Sequence, residues 1–341
     1  MLFITYITKI LHFLPGELSH NLALKGLRLS HAIGLLGILI KSSNSQNEGL
    51  FDENLTKSGS LKNKLGLAAG LDKDGEYIDC LASLGFGFIE VGTVTPRPQK
   101  GNPKPRIFRD RQTKSLLNRL GFNNKGVDNL VANLEKRKST LPLGISIGKN
   151  FDTPNDDASN DYLICLEKVY KYSSYIAVNI SSPNTKNLRT LSSKEYLGSL
   201  LQSLKAKQIE LTEMFGYKPL FIKVSPDEKT ERLEEICEII LNNNIDGIIC
   251  CNTTVKHNEK HGKGGLSGSP LTKKALGLIS LLRKMVGNDF LLIASGGVMS
   301  SVDYQQRLDA GADLVQIYSG FIFEGPKLIK DINLASMQSN T

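Results

Sequence analysis

At 341 residues, 40% apolar and 22% charged, the chain has an ordinary globular composition and can hold one large α/β barrel or two smaller domains. Its net charge of +8 is carried by lysines and arginines that are spread out, which argues against a nucleic-acid surface and suits anionic small molecules or anionic membranes. The five cysteines (80, 165, 237, 250 and 251) are odd in number and lack metal-type spacing, so free thiols in a reducing compartment are expected.

Residues 1–40 differ from the rest. They are rich in Leu and Ile, with Lys9, His12, His20, Lys25, Arg28 and His31 interspersed. Ile4, Ile7, Leu11 and Leu14 fall on one helical face; after Pro15-Gly16, Leu18, Leu22, Leu29 and Ile33 fall on another. The longest run without a polar side chain, Ala32 to Ile40, is nine residues, whereas a bilayer needs roughly 20. No small-residue cleavage site follows, so a signal peptide is disfavoured. Two amphipathic helices lying on a membrane, or two helices packed on the domain behind them, both account for the pattern. Residues 41–60, rich in Ser, Asn, Gly, Glu and Lys, read as a polar linker. The expected division is therefore residues 1–42 as an amphipathic segment and 43–341 as the main domain.

From Leu65 onward a short apolar strand, a polar loop and an amphipathic helix repeat. The predicted strands are Leu65–Ala69, Phe88–Gly92, Leu143–Ile147, Tyr175–Ile180, Leu220–Val224, Gly247–Asn252, Leu291–Ser295 and Leu314–Ser319. Eight strands alternating with helices predict a (β/α)8 TIM barrel carrying an N-terminal two-helix extension. An open doubly wound sheet would place a dinucleotide fingerprint after its first strand, and Ala68-Ala69-Gly70-Leu71-Asp72-Lys73 is not one.

In such barrels the site forms at the C-terminal strand ends. These ends offer Lys73, Thr93, Ser146, Asn179 through Asn184, Lys223, Asn252 with Thr253, Gly296-Gly297 and Tyr318-Ser319-Gly320. They present no His, Asp or Glu cluster for a metal and no carboxylate pair for glycoside chemistry. Lysines, amides and hydroxyls suit a flat anionic ligand and a cofactor with its own reactivity. The glycine-rich ends of the last two strands stand where such barrels bind phosphate.

Several motifs go beyond barrel logic. Ala68-Ala69-Gly70-Leu71-Asp72-Lys73, Gly92-Thr93-Val94-Thr95-Pro96, Asn118-Arg119-Leu120-Gly121-Phe122-Asn123 and Asn179-Ile180-Ser181-Ser182-Pro183-Asn184 occur in order. Asn252-Thr253-Thr254, Gly264-Gly265-Leu266-Ser267-Gly268 and Gln316-Ile317-Tyr318-Ser319-Gly320 follow. The chain thereby resembles the class 2 dihydroorotate dehydrogenases, which are quinone-linked, contain FMN and associate with membranes. The resemblance implies that Ser182 is the base taking the C5 proton of dihydroorotate while C6 passes hydride to the flavin, with Thr185 relaying the proton. Class 1 enzymes carry cysteine at that position. Lys73, Asn118, Gly121, Phe122, Asn179, Asn184, Asn252 and Thr253 are implied to hold the substrate. Ala69, Gly70, Thr93, Ser146, Asn179, Lys223, Cys251, Gly268, Gly297, Tyr318 and Ser319 are implied to hold one FMN. His20, Arg109 and Tyr318 are implied to meet the quinone.

Two positions depart from the family pattern: Ser146 replaces a usual asparagine and Cys251 a usual threonine. The further expectations are no metal, no nucleic acid, peripheral contact with lipid on the cytoplasmic face of a bacterial-type inner membrane, and a monomer. The alternatives are a class 1 barrel passing electrons to a soluble acceptor such as fumarate, and a membrane-docked barrel without activity.

Overall fold

The computed structural model describes residues 8, 10–36, 61–185, 188–258 and 260–338. Ile4, Ile7, the end of the Ala32–Ile40 stretch and the expected linker at 41–60 lie outside the described residues.

Eight parallel strands close into a barrel: β1 (Leu65–Leu67), β2 (Phe88–Val94), β5 (Leu143–Ile147), β6 (Tyr175–Asn179), β7 (Leu220–Val224), β8 (Gly247–Cys250), β10 (Leu291–Ser295) and β11 (Leu314–Ile317). Three of these, β5, β7 and β10, have the bounds that the sequence pattern predicts. β1 and β11 pair in parallel through Leu65 and Val315, which closes the ring. Helices cover the outside: α2 (Ile78–Ala82), α3 (Val127–Leu134), α4 (Ala158–Val169), α5 (Lys194–Phe215), α6 (Thr230–Asn242), α7 (Thr272–Val286), α8 (Ser301–Asp309), α9 (Ser319–Glu324) and α10 (Pro326–Gln338). Their Leu and Ile faces pack on outward strand residues in one continuous core.

The lumen is filled in layers, because every second strand residue points inward. At the bottom, Phe88, Tyr175, Phe221, Ile249, Ile293 and Leu314 form their own buried cluster. The aromatic rings meet edge-on, with centroids 6.2 Å apart for Phe88 and Tyr175 and 5.3 Å for Tyr175 and Phe221. Two glycines make the room: a Cβ at Gly66 would lie 2.2 Å from the Phe88 ring, and one at Gly144 would lie 2.1 Å from that of Tyr175. Two positions higher, the inward residues turn polar: Glu90 above Phe88, Lys223 above Phe221 and Gln316 above Leu314.

A second, antiparallel sheet was not expected from the sequence. β3 (Ile107–Asp110), β4 (Ser115–Asn118) and β9 (Gly265–Gly268) lie in the order β3-β4-β9. The Asn118 and Gly264-Gly265-Leu266-Ser267-Gly268 motifs therefore sit on this sheet beside the barrel mouth, with Asn118 paired to Gly265.

Helix α1 (Gly16–Ala32) lies against this sheet. Leu24 and Ser19 are its buried residues, and Glu17 fastens it through ion pairs to Arg106 and, at 3.2 Å, to Lys104. Of the predicted face, Leu18, Leu29 and Ile33 point to solvent, with Leu29 64% and Ile33 67% exposed, while the half-exposed Leu22 borders the space beneath the helix. Packing on the barrel thus uses a different face from the apolar one read in the sequence. Among the described residues no helix is long and apolar enough to cross a membrane.

Candidate active site

The C-terminal strand ends surround a cavity with about 940 Å³ of non-atom space, counting its open mouth. Ser182, Lys73, Lys223, Asn118, Asn179 and Asn252 all line it. So do Ala69, Gly70, Thr93, Gly121, Phe122, Asn184, Cys251, Thr253, Gly297, Tyr318 and Ser319. Residues from seven strand ends and from the small sheet therefore converge, although they span 250 positions of sequence.

The amides and hydroxyls hold one another in place. Asn179 Nδ2 donates to Thr93 Oγ1 at 2.9 Å, and that hydroxyl is 2.9 Å from Ser146 Oγ. Asn252 Nδ2 donates to Asn179 Oδ1 at 3.3 Å and to Ser181 Oγ at 3.1 Å. On the small sheet, Asn184 Nδ2 donates to Asn118 Oδ1 at 2.9 Å, and Asn118 Nδ2 to Gly265 O at 3.1 Å. Asn118, Asn179 and Asn184 keep unused donor or acceptor capacity, which suits alternating N–H and C=O groups on a ring, whereas Asn252 spends both its N–H groups on Asn179 and Ser181 and its oxygen on Thr253.

Ser182 follows β6 in a buried loop, and its Oγ accepts from Asn184 N at 3.3 Å. Three residues on, Thr185 Oγ1 is buried with no hydrogen-bond partner among the described residues. The loop is clamped from behind by Arg189, which donates to Ser181 O and to Thr253 O, each at 3.2 Å. Arg189 is held in turn by Asp227, which also accepts from Lys274 Nζ at 2.6 Å and from Val255 N at 2.8 Å. Burial alone would raise the Asp227 pKa, but the bonds from Lys274, Thr254 and Val255 win and hold it at about 2. Sequence reading missed this clamp, since Asp227 and Arg189 carry no motif of their own.

Lys73 reaches over the cavity and donates to Gly70 O at 2.6 Å. Burial pulls its pKa down to about 8, only partly opposed by Asp74. Lys223 is 6% exposed, and its charged partner among the described residues is Glu90, with Oε1 at 3.7 Å. Two of the expected residues are not on the wall. Ser146 is fully buried behind Thr93, and Gly268 packs where a Cβ would lie 2.1 Å from Lys114 O. The wall positions beside them belong to Thr93 and to Ser267, which sequence reading passed over; Ser267 Oγ is 2.8 Å from Ser319 Oγ. Ser295 and Gln316 also line the cavity and were missed.

A second cavity, with about 1570 Å³ of non-atom space, lies between α1 and the small sheet. Leu22, Leu24, Leu27, Leu36, Leu71 and Ile322 make it largely apolar. His20 and Arg109 line it, and Tyr318, Asn118 and Ser267 line both cavities. Arg109 Nη1 donates to Leu11 O at 3.3 Å, and its Nε is buried without a partner among the described residues. Burial, then the charge of Lys73, push the His20 pKa down to about 4, so the imidazole is neutral at ordinary pH. Burial pushes the Tyr318 phenol up to about 12. Among the described residues no group of three or more His, Cys, Asp or Glu could hold a metal ion.

A family model described as dihydroorotate dehydrogenase matches residues 54–336. A protein of Acinetobacter baylyi named dihydroorotate dehydrogenase (quinone) is 49% identical over 329 residues, covering 94% of this chain and 96% of that one. One of the same name from Shewanella amazonensis is 53% identical over 277 residues, covering 79% and 82%. Among solved structures, a ligand-free DHODH of Eimeria tenella superposes with a TM-score of 0.80 at 34% identity, over 94% of this chain and 95% of that chain. The ferulenol complex of DHODH from Eimeria tenella gives 0.78 at 33% identity, over 92% of each. Matched over nearly its whole length by relatives of one name, the chain belongs to the dihydroorotate dehydrogenase family, in its quinone-linked class.

Proposed function

We propose that the chain oxidises (S)-dihydroorotate to orotate and delivers the electrons through FMN to a membrane quinone, a step of pyrimidine biosynthesis. The observation that carries this is the mouth cavity, where Ser182, Lys73 and the asparagines face Lys223 across one space. A class 1 reading is disfavoured by Ser182 and by the quinone-linked names of the relatives.

The residues present fit a flavin. Lys223 brings a buried ammonium to the cavity with no hydrogen-bond partner among the described residues, so it is available to a ligand. Gly296, Gly297 and Gly320 give a stretch of wall without side chains, where phosphate oxygens can approach backbone. FMN bound there would accept hydride from the substrate and release electrons to the quinone. Ala69, Gly70, Thr93, Asn179, Cys251, Tyr318 and Ser319 would hold it, with Ser146 and Gly268 supporting that wall from behind.

Ser182 would take the C5 proton. A hydroxyl is a weak base, so its strength must come from position and from exclusion of water, and Thr185 Oγ1 is the unpartnered group placed nearby in sequence to pass the proton on. Lys73 would meet the substrate carboxylate, while Asn118, Asn184, Asn252 and Thr253 read the ring and Gly121 and Phe122 wall it. The apolar cavity would admit the quinone tail, with His20 and Arg109 at its polar end and Tyr318 between the two sites. Residues 1–42 would form the quinone-access segment on a monomeric barrel, 43–341. The exposed Leu18, Leu29 and Ile33 would rest on the cytoplasmic face of the inner membrane.

Purified protein should absorb as a flavoprotein and bleach anaerobically with dihydroorotate. A colourless, folded protein that takes up no FMN overturns the reading.

A further inference from the structure

One buried charge in the lumen is not used by the chemistry above. Glu90 lies in the middle of β2, inside the apolar run Phe88-Ile89-Glu90-Val91, and is 0% exposed. A carboxylate in such a place must be compensated, because isolated buried charge is strongly unfavourable. Its Oε2 accepts from Gln316 Nε2 at 2.7 Å and from Tyr175 OH at 2.9 Å. Gln316 Nε2 also donates to the Tyr175 oxygen at 3.0 Å, which closes a triangle. Two donors on one oxygen mark that oxygen as an acceptor. The other oxygen, Oε1, has no hydrogen bond among the described residues and faces Lys223 Nζ at 3.7 Å. Lys223 and Gln316 reach the mouth cavity, whereas Glu90 does not, so the carboxylate stands one layer beneath it.

We propose that Glu90 is a positioning residue: held by Tyr175 and Gln316, it sets where the Lys223 ammonium sits and how much of its charge reaches the flavin above. The inference rests on the flavin reading of the mouth cavity. The geometry is specific. Tyr175 and Gln316 occupy one carboxylate oxygen and keep the group from turning to chelate the lysine. At 3.7 Å the pair attracts without a close hydrogen bond, so the ammonium keeps its N–H groups for the cavity. A cation beside the ring favours the reduced, anionic flavin, and a carboxylate behind that cation offsets part of the effect. Tyr175 belongs to the aromatic cluster at the lumen floor, so the electrostatics of the site are tied to the packing under it.

The test is a spectroelectrochemical titration of the flavin-loaded protein, independent of turnover. Glu90→Gln keeps the size and removes the negative charge. The ratio of reduced to oxidised flavin at a fixed applied potential should rise about tenfold, equivalent to about 30 mV for a two-electron couple. Tyr175→Phe removes one donor from Oε2 and leaves the charge, so the carboxylate offsets Lys223 more and the ratio should fall, by less. A purely structural role would change flavin retention without this pair of opposite shifts. Glu90→Gln protein that holds flavin at the wild-type or a lower potential overturns the proposal. Should Glu90→Gln fail to hold flavin, Tyr175→Phe decides: a fall supports the proposal, and an unmoved or raised potential overturns it. Wild-type protein without flavin would sink the proposed function instead.

Discussion

The two cavities that meet at Tyr318 are built on opposite principles. The barrel-mouth cavity is the more polar of the two, and its asparagines are tied to neighbours: Asn179 to Thr93, Asn252 to Ser181, Asn184 to Asn118. The cavity under α1 is apolar, and the helix forming it is fastened at few points, chiefly Glu17 to Arg106 and Lys104 and Leu24 into the core. Its outer face leaves Leu29 and Ile33 in solvent. Proton and hydride chemistry needs groups fixed to a fraction of an ångström, whereas admitting a long apolar tail needs an apolar surface that can yield. The difference predicts that the halves of the molecule can be disabled separately.

The largest effect should come from Ser182→Ala. Flavin content should stay intact while stopped-flow reduction by dihydroorotate slows about 10²–10⁴-fold, the usual contribution of a positioned base. A wild-type rate would place the base elsewhere. Removing residues 1–42 should do the reverse: reduction by dihydroorotate survives, reduction of a long-tailed quinone collapses, and sedimentation with anionic vesicles falls. A truncate that still reduces that quinone at full rate would dissolve the distinction between the two cavities.

The remaining predictions sharpen the comparison by probing what keeps the mouth rigid. Gly144→Ala would drive a Cβ to 2.1 Å from the Tyr175 ring and should cost about 1–3 kcal/mol in denaturant unfolding. Unchanged stability would mean that the aromatic floor yields more than its packing implies. The smallest effect should be the acid response of the Asp227 clamp. Its carboxyl titrates at about 2 when folded, against 3.8 ordinarily, so below about pH 4 the unfolded chain binds a proton that the folded one does not. Stability from this group is full above pH 4 and should decline by about 1–2 kcal/mol as pH falls toward 2. Asp227→Asn should flatten that part of the curve; an unaltered slope would assign the acid response to other carboxylates.

Much of this was legible in the sequence, for identifiable reasons. Strands β5, β7 and β10 are short β-branched and Leu-rich runs between polar loops, so periodicity and length bound them sharply. Lys223 and Asn179 stand at the ends of such runs, and Lys73 and Asn252 follow within a few positions; a polar group near a barrel strand end has few places to go but the mouth. The small sheet was invisible because β4 pairs with β9 some 150 positions away, a contact that no local pattern announces. Ser146, at the end of a predicted strand, and Gly268, singled out by its motif, lie just behind the cavity wall, since neither strand position nor motif gives the depth of a residue. Glu90 had a signal that was overlooked: a lone acid inside Phe88-Ile89-Glu90-Val91 can be buried only with partners. Finding those partners required Tyr175, Lys223 and Gln316 on three other strands.

The aromatic floor has a consequence for traffic. With Phe88, Tyr175 and Phe221 stopping the lumen, the barrel is a cup and not a tube. A small, charged molecule that enters at the mouth has no back door, so orotate must depart over the lip that the next dihydroorotate crosses. Substrate and product then queue for one doorway, and accumulated product delays the newcomer by occupying the same seat.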